Sequence, residues 1–385
     1  MSGGENTFDI AVIGAGIAGA SVAAELAADA DYDGRVVLLE QEAQPGYHTT
    51  GRSAAIYSPV YGPRPIRALT RAAHDFYMSP PDGFADHALL TPIACAFVAR
   101  ADQASAVDAM QAEMSDADSI SRLDGAEMAR RMPLLRDGYA DGGLWDTGTS
   151  EIDVAALHQG YLRMLRAGGG TLRNRATVTA LTRSGDGWDL ETAAGPVHAR
   201  IVINATGAWA DHVGDMAGAE KIGLVPKRRT AMMIEPPAGC DTTTLPMVID
   251  IAEQFYLKPD AGKLLISPAN EDPEPPSDVQ PDEMDIAICV DRIERAFDLT
   301  VRRIENRWAG LRSFVADKAP VAAFSKQVDG FYWLAGQGGY GIQSAPGLAR
   351  YAADEVLGRP MAQRFQDQGL DPADIAADRP GIGPQ

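Results

Sequence analysis

Residues Phe8–Asp29 read FDIAVIGAGIAGASVAAELAAD. The first six, Phe8 to Ile13, form a near-continuous apolar run, as expected of a parallel strand buried on both faces. Gly14, Gly16 and Gly19 follow in G-x-G-x-x-G spacing. The alanine-rich segment after them predicts a helix to about Ala28. RVVLLE, Arg35–Glu40, predicts a second buried strand that ends in an acid. Together these make one strand–helix–strand unit of about 30 residues.

In that setting each glycine has a task. Gly14 permits the tight turn, Gly16 lets backbone approach a pyrophosphate, and Gly19 lets the helix pack close to the sheet. The helix N-terminus offers N–H donors and partial positive charge to phosphates. Glu40 lies 21 residues after Gly19 (40 − 19), where a carboxylate accepts ribose hydroxyl hydrogen bonds and disfavours a 2′-phosphate. The unit predicts a dinucleotide site. Its element pattern alone leaves FAD and NAD both open.

The rest of the chain bounds the answer. At 385 residues it is too long for one hydrophobic core, so two domains are expected. The net charge of −19 argues against nucleic acid and anionic membranes, whose phosphates need a basic face. MSGGENTFDI has no basic-then-apolar signal pattern, and no apolar run is long enough to span a bilayer. Cys95, Cys240 and Cys289 are few, scattered and odd in number, against a disulfide framework or structural zinc. A cytoplasmic location is the expectation.

Further along, a helix is expected over 64–77, a strand over His87–Ala99 and a helix near 103–114. A helix capped by Asp153 and ended by Gly168 comes next, then short strands in 176–184, 187–193 and 196–207. NEDPEPPSDVQPDE, Asn270–Glu283, reads as a loop, with a helix near 284–296 after it. The chain closes on strand, glycine turn and helix in 331–358. Nucleotide-binding elements at both ends with a strand-rich middle predict an interrupted domain carrying an insertion.

One local feature stands out in so acidic a chain. PKRRTAMMIEP, residues 226–236, sets Lys227, Arg228 and Arg229 beside an apolar strand. Side chains alternate on a strand, so only one of the two arginines need face an interior site.

Four separated segments then carry a resemblance. They are QPGYHTTGRSAAIYSP (Gln44–Pro59), ARIVINATGAWADHV (Ala199–Val213), WAGLRSFVADKAPVAAF (Trp308–Phe324) and LAGQGGYGIQSAPGLA (Leu334–Ala349). In order and spacing the chain resembles the flavoprotein family of D-amino-acid oxidase, glycine oxidase and sarcosine oxidase. Within it the likeness is to FAD-dependent D-amino-acid dehydrogenases of the D-arginine dehydrogenase type, and it extends from about Phe8 to Gly358.

The resemblance implies an α/β plus α+β fold. A discontinuous Rossmann-like FAD-binding domain (1–86, 146–222, 311–385) would carry an inserted antiparallel-sheet substrate domain (87–145, 223–310). FAD would be held non-covalently, since no cysteine lies in the relevant motifs. Its site would comprise Gly14, Gly16, Ile17, Ala18, Gly19, Glu40 and Gln41. To these it adds His48, Thr50, Gly51, Arg52, Ser53, Ala54 and Ala55, with GRSAA opening a helix toward the flavin. Thr177, Val178, Ala205, Thr206, Gly207 and Trp209 would serve the adenosine half. Gly310, Gly338, Gly339, Tyr340, Gly341, Ile342 and Gln343 would lie near the ring.

For catalysis it implies Arg229 and Arg312 on a substrate carboxylate, whose planar form suits the bidentate guanidinium. Tyr61 and Tyr256 would line the pocket, and Gly339 and Gln343 would touch substrate or flavin. Lys227 and Arg228 are left as strand-end charges. The implied reaction is hydride transfer from Cα of a D-amino acid to flavin N5, the imine then hydrolysing to a 2-oxo acid and ammonia. The electrons would pass to a quinone, an electron-transfer protein or O2. Basic-substrate relatives carry an acid where this chain has Cys95, and a histidine at Ile56. A neutral or apolar side chain is therefore expected. Oxidation of sarcosine- or glycine-like N-alkyl amino acids and of 2-hydroxy acids are the alternatives.

Overall fold

The computed structural model describes residues 6–114 and 117–383. Half of the N-terminal MSGGENTFDI stretch, its first five residues, lies outside them, as do the outer ends of the expected 1–86 and 311–385 segments. No helix among the described residues is long and apolar enough to cross a membrane.

The opening unit folds as its pattern demands. Strand Thr7–Ile13 pairs in parallel with Val36–Leu39, and helix Ile17–Ala27 connects them. Val36–Leu39 is buried throughout, each such side chain worth roughly 1.5–3 kcal/mol. The other edge of Thr7–Ile13 takes Val197–Asn204, again in parallel. Val197–Asn204 shares its far edge between antiparallel Gly187–Thr192 and parallel Phe331–Ala335. The sheet has eight strands. Ile10 and Val12 join a core with the helices, and Ala11 and Ile13 face a second core. Chain segments that lie far apart in sequence thus meet at the C-terminal end of Thr7–Ile13.

A nine-stranded sheet holds Cys95–Ala99, Gly142–Asp146, Val225–Ile234, Tyr256–Asp260, Lys263–Ser267 and Ile304–Phe314 among others. It is antiparallel except where Met247–Asp250 runs parallel to Cys95–Ala99. Alternation is strict: Cys95, Phe97 and Ala99 enter one core with Tyr256 and Ala231, while Ala96 and Val98 enter another with Met232 and Leu257.

Several expected elements are differently drawn. The 87–99 strand is two, Leu90–Pro92 in a three-stranded sheet and Cys95–Ala99 here; Pro92 cannot donate to a ladder. The 64–77 helix breaks at Ala73 into Arg64–Ala72 and His74–Met78. GRSAA does not open a helix. Thr49–Arg52 makes one 3-10 turn, and Ser53 is already extended. Side chains of this turn are committed elsewhere: Thr49 Oγ1 donates to Leu311 O at 2.7 Å, and Thr50 Oγ1 accepts from Ile17 N–H at 2.9 Å. Inside the 270–283 loop, Asp272–Pro273 pairs with Lys227 and Arg228 as an edge strand, where proline is tolerated.

The last helix, Gly341–Val356, contains Pro346. Proline leaves the carbonyl four residues back without its helical donor, and the Tyr77 hydroxyl fills the gap, 2.6 Å from Ile342 O. The same helix packs so tightly on Arg64–Ala72 that a Cβ on Gly347 would sit 2.3 Å from Leu69 O. Gly347→Ala is expected to lower unfolding free energy by about 1–3 kcal/mol, measured by denaturant titration; an unchanged midpoint would refute this packing account.

Candidate active site

The glycine turn is compressed from two sides. Gly14 has φ +97°, and a Cβ there would lie 2.6 Å from Ala205 O; one on Gly19 would lie 1.8 Å from Gly14 O. Glu40 closes the turn from the neighbouring strand, with Oε2 accepting from Ala15 N–H at 2.8 Å and Oε1 from Glu42 N–H at 2.9 Å. Beneath it His158 meets Ala15 O through Nε2 at 2.9 Å. Burial holds His158 toward its neutral form by lowering its pKa. Sequence reasoning missed this residue. The signal was a polar side chain on the apolar face of helix Val154–Ala167, between Leu157 and Tyr161.

A cavity of about 390 Å³ opens over this turn, within the range of small-molecule clefts. Of the residues expected at a cofactor, Gly14, Gly16, Ile17, Ala18, Glu40 and Gln41 line it. So do His48, Thr50, Arg52, Ser53, Ala54, Thr177 and Val178. Ala205, Thr206, Gly207, Trp209, Gly310, Gly338, Gly339, Gly341 and Ile342 complete that set. Arg229, Tyr256 and Arg312 border the same cavity. None of the three cysteines does.

Six expected residues stand behind its wall. Gly19 packs on Gly14, Gly51 N–H closes a turn on Gly46 O at 2.8 Å, and Ala55 O accepts from Ile152 N–H at 3.2 Å. Gln343 is buried. Its Oε1 accepts from Ser58 N–H at 3.0 Å and its Nε2 donates to Tyr61 O at 3.2 Å. Its carboxamide fixes the Ser58–Tyr61 backbone. Tyr61 and Tyr340 meet edge to face with centroids 5.3 Å apart. The Tyr61 hydroxyl donates to Glu253 Oε1 at 2.7 Å. Burial and the nearby Glu253 charge push the Tyr61 pKa well up, and burial lifts Tyr340 to about 12, so both stay protonated donors.

Lining residues that the sequence did not single out include Tyr47, Thr49, His212, Ala231 and Gln337. His48 Nε2 lies 3.0 Å from Glu42 Oε1, and its ring packs on Trp209 at 4.9 Å.

The two arginines converge through strand register. Val225–Ile234 pairs antiparallel with Ile304–Phe314, placing Lys227 opposite Arg312, Arg229 opposite Gly310 and Ala231 opposite Trp308. Arg229 and Arg312 are therefore diagonal neighbours on one face, with Gly310 contributing no side chain between Trp308 and Arg312. Arg229 is 8% exposed. Its Nε donates to Asn270 O at 2.8 Å and its Nη2 to Glu271 Oε1 at 3.2 Å. Burial, then the charge of Arg312, lowers its pKa to about 10. The Arg312 side chain forms no hydrogen bond or ion pair among the described residues.

Lys227 and Arg228 are not strand-end charges, because the strand begins at Val225. Arg228 points to the opposite face and is enclosed by Asp285 (2.9 Å), Asp272 (3.6 Å) and Glu274. Lys227 pairs with Glu271 at 3.1 Å and covers the Phe314 ring at 5.3 Å.

On the arginine face, Tyr256 and Ala231 continue into an apolar cluster with Cys95, Ala54, Ile56, Met233 and Trp308. Opposite Cys95 across the strand pair is Asp146, fully buried. Its Oδ1 accepts from Gly148 N–H at 2.7 Å. Burial raises its pKa, and it does not border the cavity.

Two curated relatives align over just over half of the chain. Human mitochondrial dimethylglycine dehydrogenase is 28% identical over 255 residues, 61% of this chain but 29% of the relative. L-2-hydroxyglutarate dehydrogenase of Salmonella houtenae is 28% identical over 220 residues, 55% of this chain and 50% of that protein. The chain thus spans under a third of the first relative's length and half of the second's. In fold it is similar to glycine oxidase from Geobacillus kaustophilus, with a TM-score of 0.82, 20% identity and coverage of 97% of this chain and 99% of that one. The family model described as DAO, FAD dependent oxidoreductase, matches residues 9–355, and with a glycine turn and Glu40 lining a continuous cavity, the chain belongs to that family and uses FAD.

Proposed function

We propose that this FAD-dependent oxidoreductase oxidises the Cα–N bond of a small α-amino acid with a neutral or apolar side chain, of D configuration as the sequence motifs imply. One observation carries the reading: Arg312 stands in the cofactor cavity with no internal anion, diagonal to Arg229 on the same sheet face. Two cations so placed repel each other, and a shared substrate carboxylate relieves them while accepting paired N–H donors.

The residues present suit FAD. The Gly14–Gly19 turn and the N-terminus of Ile17–Ala27 would take the pyrophosphate. Glu40 would hold the ribose, and the Gly338–Ile342 turn would meet the ring from a second helix N-terminus. Thr50 accepts from Ile17 N–H, which leaves its own hydroxyl hydrogen to donate to phosphate. Absence of cysteine from the lining supports non-covalent attachment. When bound, FAD supplies the two-electron acceptor.

The chain's residues supply placement. Arg229 and Arg312 fix the carboxylate, which sets the orientation of Cα, and orientation accounts for much of the acceleration. Tyr256 bounds the site with its ring and hydroxyl tip, and Tyr61 supports the wall from behind. Ala54, Ala231 and Tyr256, which border the cavity and are backed by Cys95, Ile56 and Trp308, would receive the side chain. Asp146 is sealed away and inclined to its neutral form, so no free carboxylate there balances a cationic substrate. The amine must be neutral for its lone pair to assist as Cα–H is lost. The two electrons leave with that hydrogen, the amine sheds a proton, and water converts the imine to a 2-oxo acid and ammonia. A quinone, an electron-transfer protein or O2 takes the electrons onward. The reduced thiols suit a cytoplasmic setting. We assign 1–86, 146–222 and 311–385 to the FAD domain and 87–145 and 223–310 to the substrate domain.

The matches to dimethylglycine dehydrogenase and glycine oxidase favour a second reading, oxidation of N-alkyl glycines at the same arginines. The 2-hydroxyglutarate dehydrogenase match keeps 2-hydroxy acids as a third. Anaerobic bleaching of the flavin absorbance across D-amino acids, N-methyl glycines and 2-hydroxy acids separates them. D-alanine- or D-valine-like compounds should bleach fastest; reduction by N-methyl glycines alone would overturn the D-amino-acid reading. Arg312→Ala should lower kcat/KM about a hundredfold or more, chiefly through KM. Steady-state kinetics equal to the parent's would remove the carboxylate assignment.

A further inference from the structure

Glu271 takes no part in the chemistry above, yet among the described residues its carboxylate is the anion that touches the Arg229 guanidinium. Oε1 accepts from Arg229 Nη2 at 3.2 Å. Oε2 lies 3.1 Å from Lys227 Nζ and 3.6 Å from Lys318 Nζ. Three cations, two from strand Val225–Ile234 and one from the turn at Lys318, therefore share one carboxylate behind the cavity wall. Asn270, its neighbour, binds Arg229 Nε through its carbonyl. Strand and loop thus hold the guanidinium by Nε and Nη2 and leave Nη1 uncommitted.

We infer that Glu271 is a positioning residue of the substrate-carboxylate site: it orients Arg229 and keeps it charged beside Arg312. This rests on the reading that Arg229 and Arg312 receive a carboxylate.

The charges that face Arg229 come from every element around it. Arg312 faces it from strand Ile304–Phe314, Tyr256 from strand Tyr256–Asp260, Tyr61 from the turn after Tyr57, and Tyr340 from the last glycine turn. Glu271 faces it from the loop after Lys263–Ser267. Lys227 shares its strand face, and Lys318 reaches it through Glu271. Burial and Arg312 lower the Arg229 pKa to about 10, while Tyr256, Tyr61 and Glu271 oppose them. Burial works against ionised Glu271, but Lys227, Lys318 and Arg229 together hold its carboxyl below the ordinary range. The sign follows. Arg229 loses its charge as pH rises through about 10, and with it the anion site. A neutral residue at 271 withdraws a charge that favours the cation, so the loss comes at lower pH. Removing the Lys318 cation acts the other way.

The test follows binding of pyruvate, a carboxylate that lacks an amine, to the FAD-loaded protein by perturbation of the flavin spectrum, from neutral pH to above pH 10. In Glu271→Gln the alkaline loss of binding should move down by about one pH unit, and Glu271→Asp, which restores the charge, should return it toward the parent. Lys318→Met, a change at a half-exposed side chain, should move it up. An unmoved alkaline limb in both Glu271→Gln and Lys318→Met would overturn the inference, as would a uniform loss of affinity at all pH in the Gln and Asp variants alike. If Glu271→Gln fails to hold flavin, the direction of the Lys318→Met shift decides alone. Arg312→Ala runs alongside. Unchanged pyruvate binding there means the carboxylate reading itself has failed. Lost binding there with unmoved limbs elsewhere refutes only the role of Glu271.

Discussion

Two arginines on one face of a strand pair set the terms for the rest of the molecule. Like charges close together are costly in a half-buried site, and the register of Val225–Ile234 on Ile304–Phe314 brings Lys227, Arg229 and Arg312 together. The chain answers this cost selectively. Glu271 gathers Lys227 and Arg229, and Asp285, Asp272 and Glu274 absorb Arg228 on the far face. Of these four cations, Arg312 alone has no carboxylate partner among the described residues. In a protein of net charge −19, acids were available to neutralise it. A cation left bare beside a cofactor cavity is better explained by an anion that comes and goes than by fold stability.

The same strand pair ties the two halves of the cavity together. Thr49 Oγ1 donates to Leu311 O, and Trp308 Nε1 donates to Arg52 O at 3.0 Å. Arg52 in turn donates to Ala309 O at 2.8 Å and pairs with Asp278 at 2.5 Å. Gly310 sits at this contact, where a Cβ would make ordinary contact at 3.6 Å from Arg52 Cβ, and a bulkier side chain would meet the Thr49–Arg52 turn. The distance between the glycine-turn half of the cavity and the two arginines is thereby fixed by backbone register, which tolerates less drift than loop contacts would.

What could be read from the chain beforehand was local. Glycine spacing, a buried strand on either side and Glu40 at a strand end identify a dinucleotide unit because all of it lies within consecutive residues. Strand alternation alone separates Arg228 from Arg229. What could not be read depends on partners distant in sequence. GRSAA looks helical until Thr49 and Arg52 meet a strand more than two hundred residues away. PKRR looks like a solvated strand end until acids from 271–285 enclose it. Gln343 sits in a motif that suggests ligand contact, but its amide is spent on Ser58 and Tyr61. His158 hides on an apolar helix face, where its neutral ring supports the glycine turn.

The far end of the cavity constrains specificity by the same reasoning in reverse. Cys95 occupies a face it shares with Tyr256, Phe97 and Met247, and burial pushes its thiol pKa up, toward the neutral form. Asp146 stands one strand further on with one oxygen bound to Gly148 and the other enclosed without a partner. Enclosure of this kind works against the ionised carboxyl and raises its pKa. For a cationic side chain to be held here, Asp146 would have to ionise and open to the cavity at once, with desolvation of both charges uncompensated until they met. An uncharged side chain asks neither of these. The site thus has a bare cation at one end and, near the other, a sealed carboxyl whose ionised form burial disfavours, with apolar surface between them.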